Sequence, residues 1–204
     1  MNSEIPKDPV TLRKYILDKR KKLSESERNL RFNKILNQFY KTPRYKTSKH
    51  ILAYFGISRN AEFDTLGLME KILQDGKHLY LTRCIPNQIQ LEIYEIHDPI
   101  NDLEAGMFKI MEPRTDLEKL HDFGKLDIII VPGLVFDRWG MRYGYGKGYY
   151  DSLLGKQSVN NALKISFALS FSVMDFRLKS HHLDVPMDKI INEKEKIIMK
   201  SKLV

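Results

Sequence analysis

The chain has 204 residues, with 34 Lys+Arg against 26 Asp+Glu and a formal charge of +8; 42% of it is hydrophobic and 29% charged. That balance excludes a disordered chain, because there is enough apolar surface to offset the entropy of ordering. The lone Cys84 excludes an intramolecular disulfide framework and a multi-cysteine zinc site, and no apolar run approaches the roughly 20 residues of a membrane span.

The opening MNSEIPKDP lacks the apolar stretch of a secretory signal, so a soluble cytoplasmic protein without a membrane partner is expected. The positive excess favours anionic ligands. With no internal repeat, low-complexity tract or Gly/Ser linker, residues 1–204 read as one domain.

The chain begins with a helical pair. Asp8 has the position of an N-cap and Pro9 that of a first helical residue. Leu12, Ile16 and Leu23 form an apolar stripe, and Arg13, Lys14, Lys19, Arg20, Lys21 and Lys22 read as a solvated basic face rather than a nucleic-acid surface. Ser24 followed by Glu27 has capping-box spacing and starts a second helix, which carries Leu30, Ile35, Leu36, Phe39 and Tyr40 and ends before Pro43.

The middle of the chain alternates. Ile51–Phe55 reads as a strand, Thr65–Gln74 as a helix stopped by Gly76, and His78–Leu81 and Leu91–Ile96 as strands. Asp127–Val131 is a continuous β-branched run suited to a central strand covered on both faces. Tyr149–Leu154 opens a helix, and Ile165–Leu169 and Lys189–Met199 supply further strands. The alternation predicts an α/β fold: a layered α/β/α sandwich around a largely parallel, mixed sheet, preceded by the helical pair.

Chemistry concentrates in Val131–Leu154. Gly140, Gly144, Gly146 and Gly148 place four of the 11 glycines within nine positions. Such a cluster lets successive backbone N–H groups turn toward an anion, and the following helix N-terminus adds positive potential. Arg142 and Lys147 add a planar fork and a mobile ammonium. A flexible hinge is the plainer alternative. Neither nucleotide fingerprint fits: Met141 stands where a Walker A loop needs Gly, and the spacing Gly144, Gly146, Gly148 is not G-x-G-x-x-G. Asp137, Asp151, Asp184 and Asp188 are candidate magnesium ligands, with turn or cap roles as the alternative for each. Trp139 would stack on a ligand or simply pack on the sheet, the pair His181-His182 reads as a surface loop, and Cys84 as a structural thiol.

This segment resembles the signature of the 5-formyltetrahydrofolate cyclo-ligase family, approximately V-P-G-x-x-F-D-x-x-G-x-R-L-G-x-G-x-G-Y-Y-D. The chain supplies Val131, Pro132, Gly133, Phe136, Asp137, Gly140, Arg142, Gly144, Gly146, Gly148, Tyr149, Tyr150 and Asp151, with Tyr143 in place of Leu. Weaker matches keep the family's order: Leu12-Arg13, then Tyr54 with Glu62, Asp64 and Thr65. Gly76-Lys77 with Arg83, Ile110 with Glu112 and Pro113, and finally Asp184 with Asp188 complete the series.

The resemblance implies ATP- and magnesium-dependent cyclisation of 5-formyltetrahydrofolate to 5,10-methenyltetrahydrofolate, ADP and phosphate, through phosphorylation of the formyl oxygen. It implies ATP contacts at Arg13, Arg142, Tyr143, Gly144, Tyr145, Gly146, Lys147, Gly148, Tyr149 and Tyr150. It implies folate contacts at Phe55, Glu62, Tyr145, Gly146, Lys147, Gly148 and Tyr149, and magnesium at Asp151 and Asp188. Tyr149, Lys147 and Arg142 are the implied catalytic groups, in a monomer or weak dimer with no nucleic-acid partner. Pro9 occupies the family's N-terminal Lys position, leaving Lys7 to replace that contact, and Thr82 stands where the family has Pro. The stretch Val173–Lys179 matches poorly. A nucleotide- or RNA-binding module without turnover, or an ATP-dependent enzyme acting on another formylated or acidic metabolite, are the rival readings.

Overall fold

Ile128, Ile129 and Ile130 are fully buried, and their side chains alternate between two hydrophobic cores on opposite faces of one sheet. The computed structural model describes residues 5–57 and 60–198. In chain order it contains α1 (Pro9–Lys21), α2 (Glu25–Tyr40), α3 (Pro43–Thr47), β1 (His50–Leu52), α4 (Leu66–Gln74), β2 (His78–Cys84) and β3 (Leu91–Ile96). The hairpin β4 (Leu103–Ala105) and β5 (Met111–Pro113) follows, then β6 (Ile128–Ile130), β7 (Val135–Asp137), β8 (Arg142–Tyr143) and α5 (Tyr149–Leu154). The chain closes with β9 (Leu163–Ala168), β10 (Val173–Met174), β11 (Lys189–Asn192) and β12 (Lys196–Ile198).

The main sheet has the order β12-β11-β9-β6-β1-β2-β3. Its five inner strands are parallel, and β3 and β12 close the two edges antiparallel. Phe32, Ile35 and Phe39 of α2 and Leu68, Met69 and Ile72 of α4 cover one face, against Ile51, Ile128, Ile130 and Ile165. Leu153 and Leu154 of α5 cover the other, with Leu52, Tyr80 and Ile129. A third core seats Leu12 and Ile16 of α1 on a small sheet of order β10-β7-β8, through Val135, Tyr143 and Met174. Each fully buried Leu or Ile contributes about 1.5–3 kcal/mol. The two N-terminal helices are therefore neighbours in sequence that serve different cores.

The helix starts are set by their caps. Asp8 accepts the Thr11 N–H at 2.9 Å ahead of Pro9, and Ser24 accepts the Glu27 N–H at 3.2 Å. After α2 ends, Thr42 and Pro43 start the short α3 that the sequence reading lacked. The strand expected at Ile51–Phe55 ends at Leu52; the Ala53 N–H still bonds the Tyr80 carbonyl at 2.9 Å, and Tyr54 and Phe55 beyond it line a cavity. The expected Lys189–Met199 strand is two antiparallel strands joined by a turn at 193–195, and Met199 lies outside the described residues. The strands β4, β5, β7, β8 and β10 were not anticipated either; they are two or three residues long, too short for a periodicity to show.

Asp137 fixes the β7–β8 hairpin. Its carboxylate is fully buried; Oδ1 accepts the Trp139 and Met141 N–H groups at 2.8 and 2.9 Å, and Oδ2 that of Leu178 at 2.9 Å. It is thus a turn aspartate, not a metal ligand. Asp137→Ala orphans three backbone donors, and each buried unpaired donor costs about 1–3 kcal/mol. The expected loss is roughly 3–5 kcal/mol, a fall of about 10 °C in Tm. Asp137→Asn, which keeps one acceptor, should lose about half as much; thermal and urea unfolding of both variants checks this.

Candidate functional site

In the main sheet the strand order reverses between β1, which is followed outward by β2, and β6, which is followed outward by β9. Open α/β sheets bind ligands outside the carboxyl ends of strands at such a switch point. A cavity of about 720 Å³ opens there, walled by Tyr54 and Phe55 after β1, Leu81, Thr82 and Cys84 of β2, and Pro132 after β6.

The glycine segment forms another wall. β8 delivers Arg142 and Tyr143, residues 144–148 loop across the cavity, and α5 begins at Tyr149. Gly146 and Gly148 have φ of +80° and +75°, the left-handed region that side chains with a Cβ disfavour. With a helix of only six residues behind it, the loop gains little from a helix dipole, so an anion there would rely on loop N–H groups and nearby cations.

Those cations come from separate elements. Arg13 of α1 donates from Nε to the Gly144 carbonyl at 2.9 Å, and its guanidinium lies 4.9 Å from the Tyr143 ring centroid. Arg142 is buried and pairs through Nη2 with Asp151 Oδ1 at 2.7 Å; its Nε is buried with no partner among the described residues. Burial works against the guanidinium charge, and Asp151 offsets part of that. Lys147 projects over Phe108, its Nζ 5.6 Å from the ring centroid. Phe108 also meets Tyr149 edge-on at 6.2 Å, so the β4–β5 hairpin reaches over the loop. Tyr150 buries its hydroxyl beside Thr82 without a bond of good geometry.

Two carboxylates stand near Arg142. Burial raises the Asp151 carboxyl above its ordinary value, Arg142 pulls it down, and Asp184 pushes it up again. Asp184 lines the cavity and accepts the His181 N–H at 2.6 Å. Asp188 is not on the cavity wall. It immediately precedes β11, and its Oδ2 accepts the Lys164 N–H at 2.8 Å, closing the β9–β11 ladder. Of the two aspartates that the resemblance assigns to magnesium, Asp151 is therefore on the cavity wall and Asp188 is not; the second aspartate on the wall is Asp184. No group of three or more His, Cys, Asp or Glu able to hold a metal occurs among the described residues. A pair of carboxylates suits magnesium, which takes hard oxygen donors and completes its shell with phosphate oxygens and water.

Phe55 and Glu62 also line the cavity. Glu62 receives the Ile57 N–H on Oε2 at 2.9 Å and the Tyr145 hydroxyl on Oε1, which ties the glycine loop to this wall. Burial pushes the Glu62 carboxyl upward, and these hydrogen bonds oppose the shift. Cys84 faces the same space as a neutral thiol, its pKa raised to about 12 by burial and by Glu112.

All the phosphate- and folate-assigned residues of the sequence reading thus meet in one cavity. Two others do not. Trp139 stacks with Arg177 at 4.6 Å instead of facing the cavity, and Lys7 lies 5.9 Å from the Phe176 ring centroid, outside the wall that Pro9 joins. The wall also contains Tyr54, Phe108, Glu112, Lys179 and His181, to which no role had been given. Only the order Ile110, Glu112, Pro113 hinted at the hairpin's approach.

These features define an α/β protein with a glycine loop flanked by cations beside aromatic side chains, in one cavity at the switch point of its sheet. Residues 6–193 match the 5-formyltetrahydrofolate cyclo-ligase family, and the chain belongs to that family. It is 26% identical over 195 residues to a probable 5-formyltetrahydrofolate cyclo-ligase of Caenorhabditis elegans, covering 92% of this chain and 93% of that one. It is 28% identical to the 5-formyltetrahydrofolate cyclo-ligase of Escherichia coli K12 over 142 residues, 70% of this chain and 77% of the other. The NMR structure of Aquifex aeolicus 5,10-methenyltetrahydrofolate synthetase superposes with a TM-score of 0.81 at 35% identity, covering 96% and 95% of the two chains. The Mycoplasma pneumoniae 5,10-methenyltetrahydrofolate synthetase gives 0.70 at 26% identity, covering 92% and 99%.

Gly146→Ala and Gly148→Ala impose the left-handed strain on a Cβ, about 1–2 kcal/mol each. Each should weaken nucleotide binding by about tenfold in calorimetry, with only a small change in Tm, because the loop lies outside the three cores.

Proposed function

We propose that this protein cyclises 5-formyltetrahydrofolate to 5,10-methenyltetrahydrofolate at the expense of ATP and with magnesium, releasing ADP and phosphate. The observation that carries the reading is the convergence, in one cavity, of the left-handed glycine loop, the Asp151–Asp184 pair and the Tyr145–Glu62 contact. Family membership supports it.

The chemistry follows from a poor leaving group. A formamide oxygen does not depart unaided. The formyl oxygen attacks the γ-phosphorus, the bond to ADP breaks, and the neighbouring folate nitrogen then attacks the activated carbon. The phosphate leaves carrying the formyl oxygen. Such a sequence needs positioning and charge neutralisation more than a side-chain nucleophile. That suits a cavity whose thiol is neutral at physiological pH.

Arg13, Lys147 and the loop N–H groups would hold the phosphates. Arg142 acts chiefly by orienting Asp151, to which its Nη2 is bonded. Asp151 and Asp184 would hold magnesium, which when bound neutralises phosphate charge. Tyr149, beside Phe108, would lie against the formyl group, and Glu62 would accept N–H groups of the pterin with Phe55 as an apolar wall.

The first experiment is near-UV detection of methenyltetrahydrofolate from 5-formyltetrahydrofolate, ATP and magnesium, with each component omitted in turn. Asp151→Asn and Asp184→Asn should each lower kcat by at least about 100-fold. Asp188→Asn, which retains an acceptor for the Lys164 N–H, should leave turnover near the wild-type level. Equal losses at 184 and 188 would refute the assignment of the carboxylates. Lys147→Ala should raise the KM for ATP more than that for folate.

A further inference from the structure

Arg20 is a charged side chain where the sequence pattern calls for an apolar one. It sits four residues after Ile16 and eight after Leu12, on the inward stripe of α1, and is 3% exposed. Its Nη2 donates to the Gly133 carbonyl at 3.2 Å, while its Nε is buried with no hydrogen-bond partner among the described residues. A buried guanidinium with an unsatisfied donor is costly unless a neighbouring charge offsets it.

The neighbouring charge is Glu62. Arg20, Tyr54, Glu62, Phe63, Gly133 and Phe167 line one crevice behind the cavity wall, with no room for a water molecule. The cation and the carboxylate therefore face each other across protein rather than solvent, where an electrostatic interaction is little screened.

We propose that Arg20 is a positioning residue for ligand recognition: across this dry crevice it is the counter-charge that keeps Glu62 an anionic acceptor, aimed at the N–H donors of a pterin. The inference rests on the folate reading given above.

Burial dominates and holds the Glu62 carboxyl above its ordinary value; the Tyr145 hydroxyl, the Ile57 N–H and, last in size, Arg20 pull it down. The other titratable groups facing it are Tyr54 after β1, Tyr145 of the glycine loop and Tyr150 of α5. Burial raises all three phenols, so they are neutral at physiological pH and Arg20 brings the formal charge. A protonated Glu62 would offer a donor where two N–H groups need acceptors. Removing Arg20 raises the pH at which Glu62 ionises, so folate recognition retreats to higher pH.

The test is the carboxyl-carbon NMR titration of Glu62 in ¹³C-glutamate-labelled protein, its resonance assigned by loss in Glu62→Gln. Arg20→Gln and Arg20→Met are two neutral variants, of which either folded one suffices, and Arg20→Lys keeps the charge while withdrawing the planar fork. In a neutral variant the Glu62 midpoint should move to higher pH by about one unit or more. The acidic limb of kcat/KM for folate should move with it, and the KM for folate at neutral pH should rise by up to about tenfold with that for ATP unchanged. Arg20→Lys should restore the midpoint. An unmoved midpoint in a folded neutral variant overturns the proposal, as does a lysine variant displaced as far as the neutral ones; so, should neither neutral variant fold, does a displaced midpoint in Arg20→Lys. Wild-type protein that makes no methenyl product yet shows the expected midpoints would instead remove the folate reading and leave the counter-charge in place.

Discussion

A carboxylate shut off from water holds the functional end of this molecule in register. Asp137 gathers the N–H groups of Trp139 and Met141, within its own hairpin, and of Leu178, 41 residues on. The hairpin then places Arg142 and launches the glycine loop. In turn, the Met187 N–H bonds the Gly140 carbonyl at 2.8 Å, so the segment bearing Asp184 is tied to the same turn at its far end. Three pieces of chain that share no regular sheet with one another are thereby fixed around one anion. The signature residue that looks most like a metal ligand by composition serves as a scaffold, because a carboxylate already accepting three backbone N–H groups has little left to offer a cation.

Charge in the cavity is arranged by depth. Arg142 is almost wholly buried and needs Asp151 as its immediate partner; breaking such a pair from one side strands a charge. Lys147 lies at the rim over an aromatic ring and is free to swing to a phosphate. Arg13 stands between these extremes, its planar fork shared between the Gly144 carbonyl and the Tyr143 face. A fixed cation, a mobile one and one that anchors the loop backbone would meet different needs of a triphosphate.

The long elements were legible because their signals are local. Asp8-Pro9 and Ser24 set helix starts, and the Ile128–Ile130 run marked the centre of the sheet. The glycine segment was legible because glycine clustering has few physical causes. The short strands of the hairpins were not, since two or three residues carry no periodicity. Which of Asp184 and Asp188 reaches the cavity was not a local signal either: they are four residues apart and differ in which neighbour the fold brings to them. Asp188 meets the Lys164 backbone of the adjacent strand, while Asp184 meets the cavity.

The basic first helix shows how far a composition argument reaches. As a solvated face it is half correct. Lys14, Lys21 and Lys22 are exposed, and Lys19 lies over the Tyr15 ring. Arg13 and Arg20, seven residues apart and so on one side of the helix, both turn inward, the first to the glycine loop and the second to the crevice it shares with Glu62. The spacing from Leu12 and Ile16 to Arg20 contained that information, because an arginine completing an apolar i, i+4, i+8 stripe must be buried with a partner or break the stripe. α1 packs its leucine and isoleucine on the small sheet and its two arginines on the cavity walls, so the same contacts that seat the helix also place its charges. The excess of positive charge that first suggested an anionic ligand is thus of two kinds: a soluble surface, and a few guanidinium groups whose positions are set by packing.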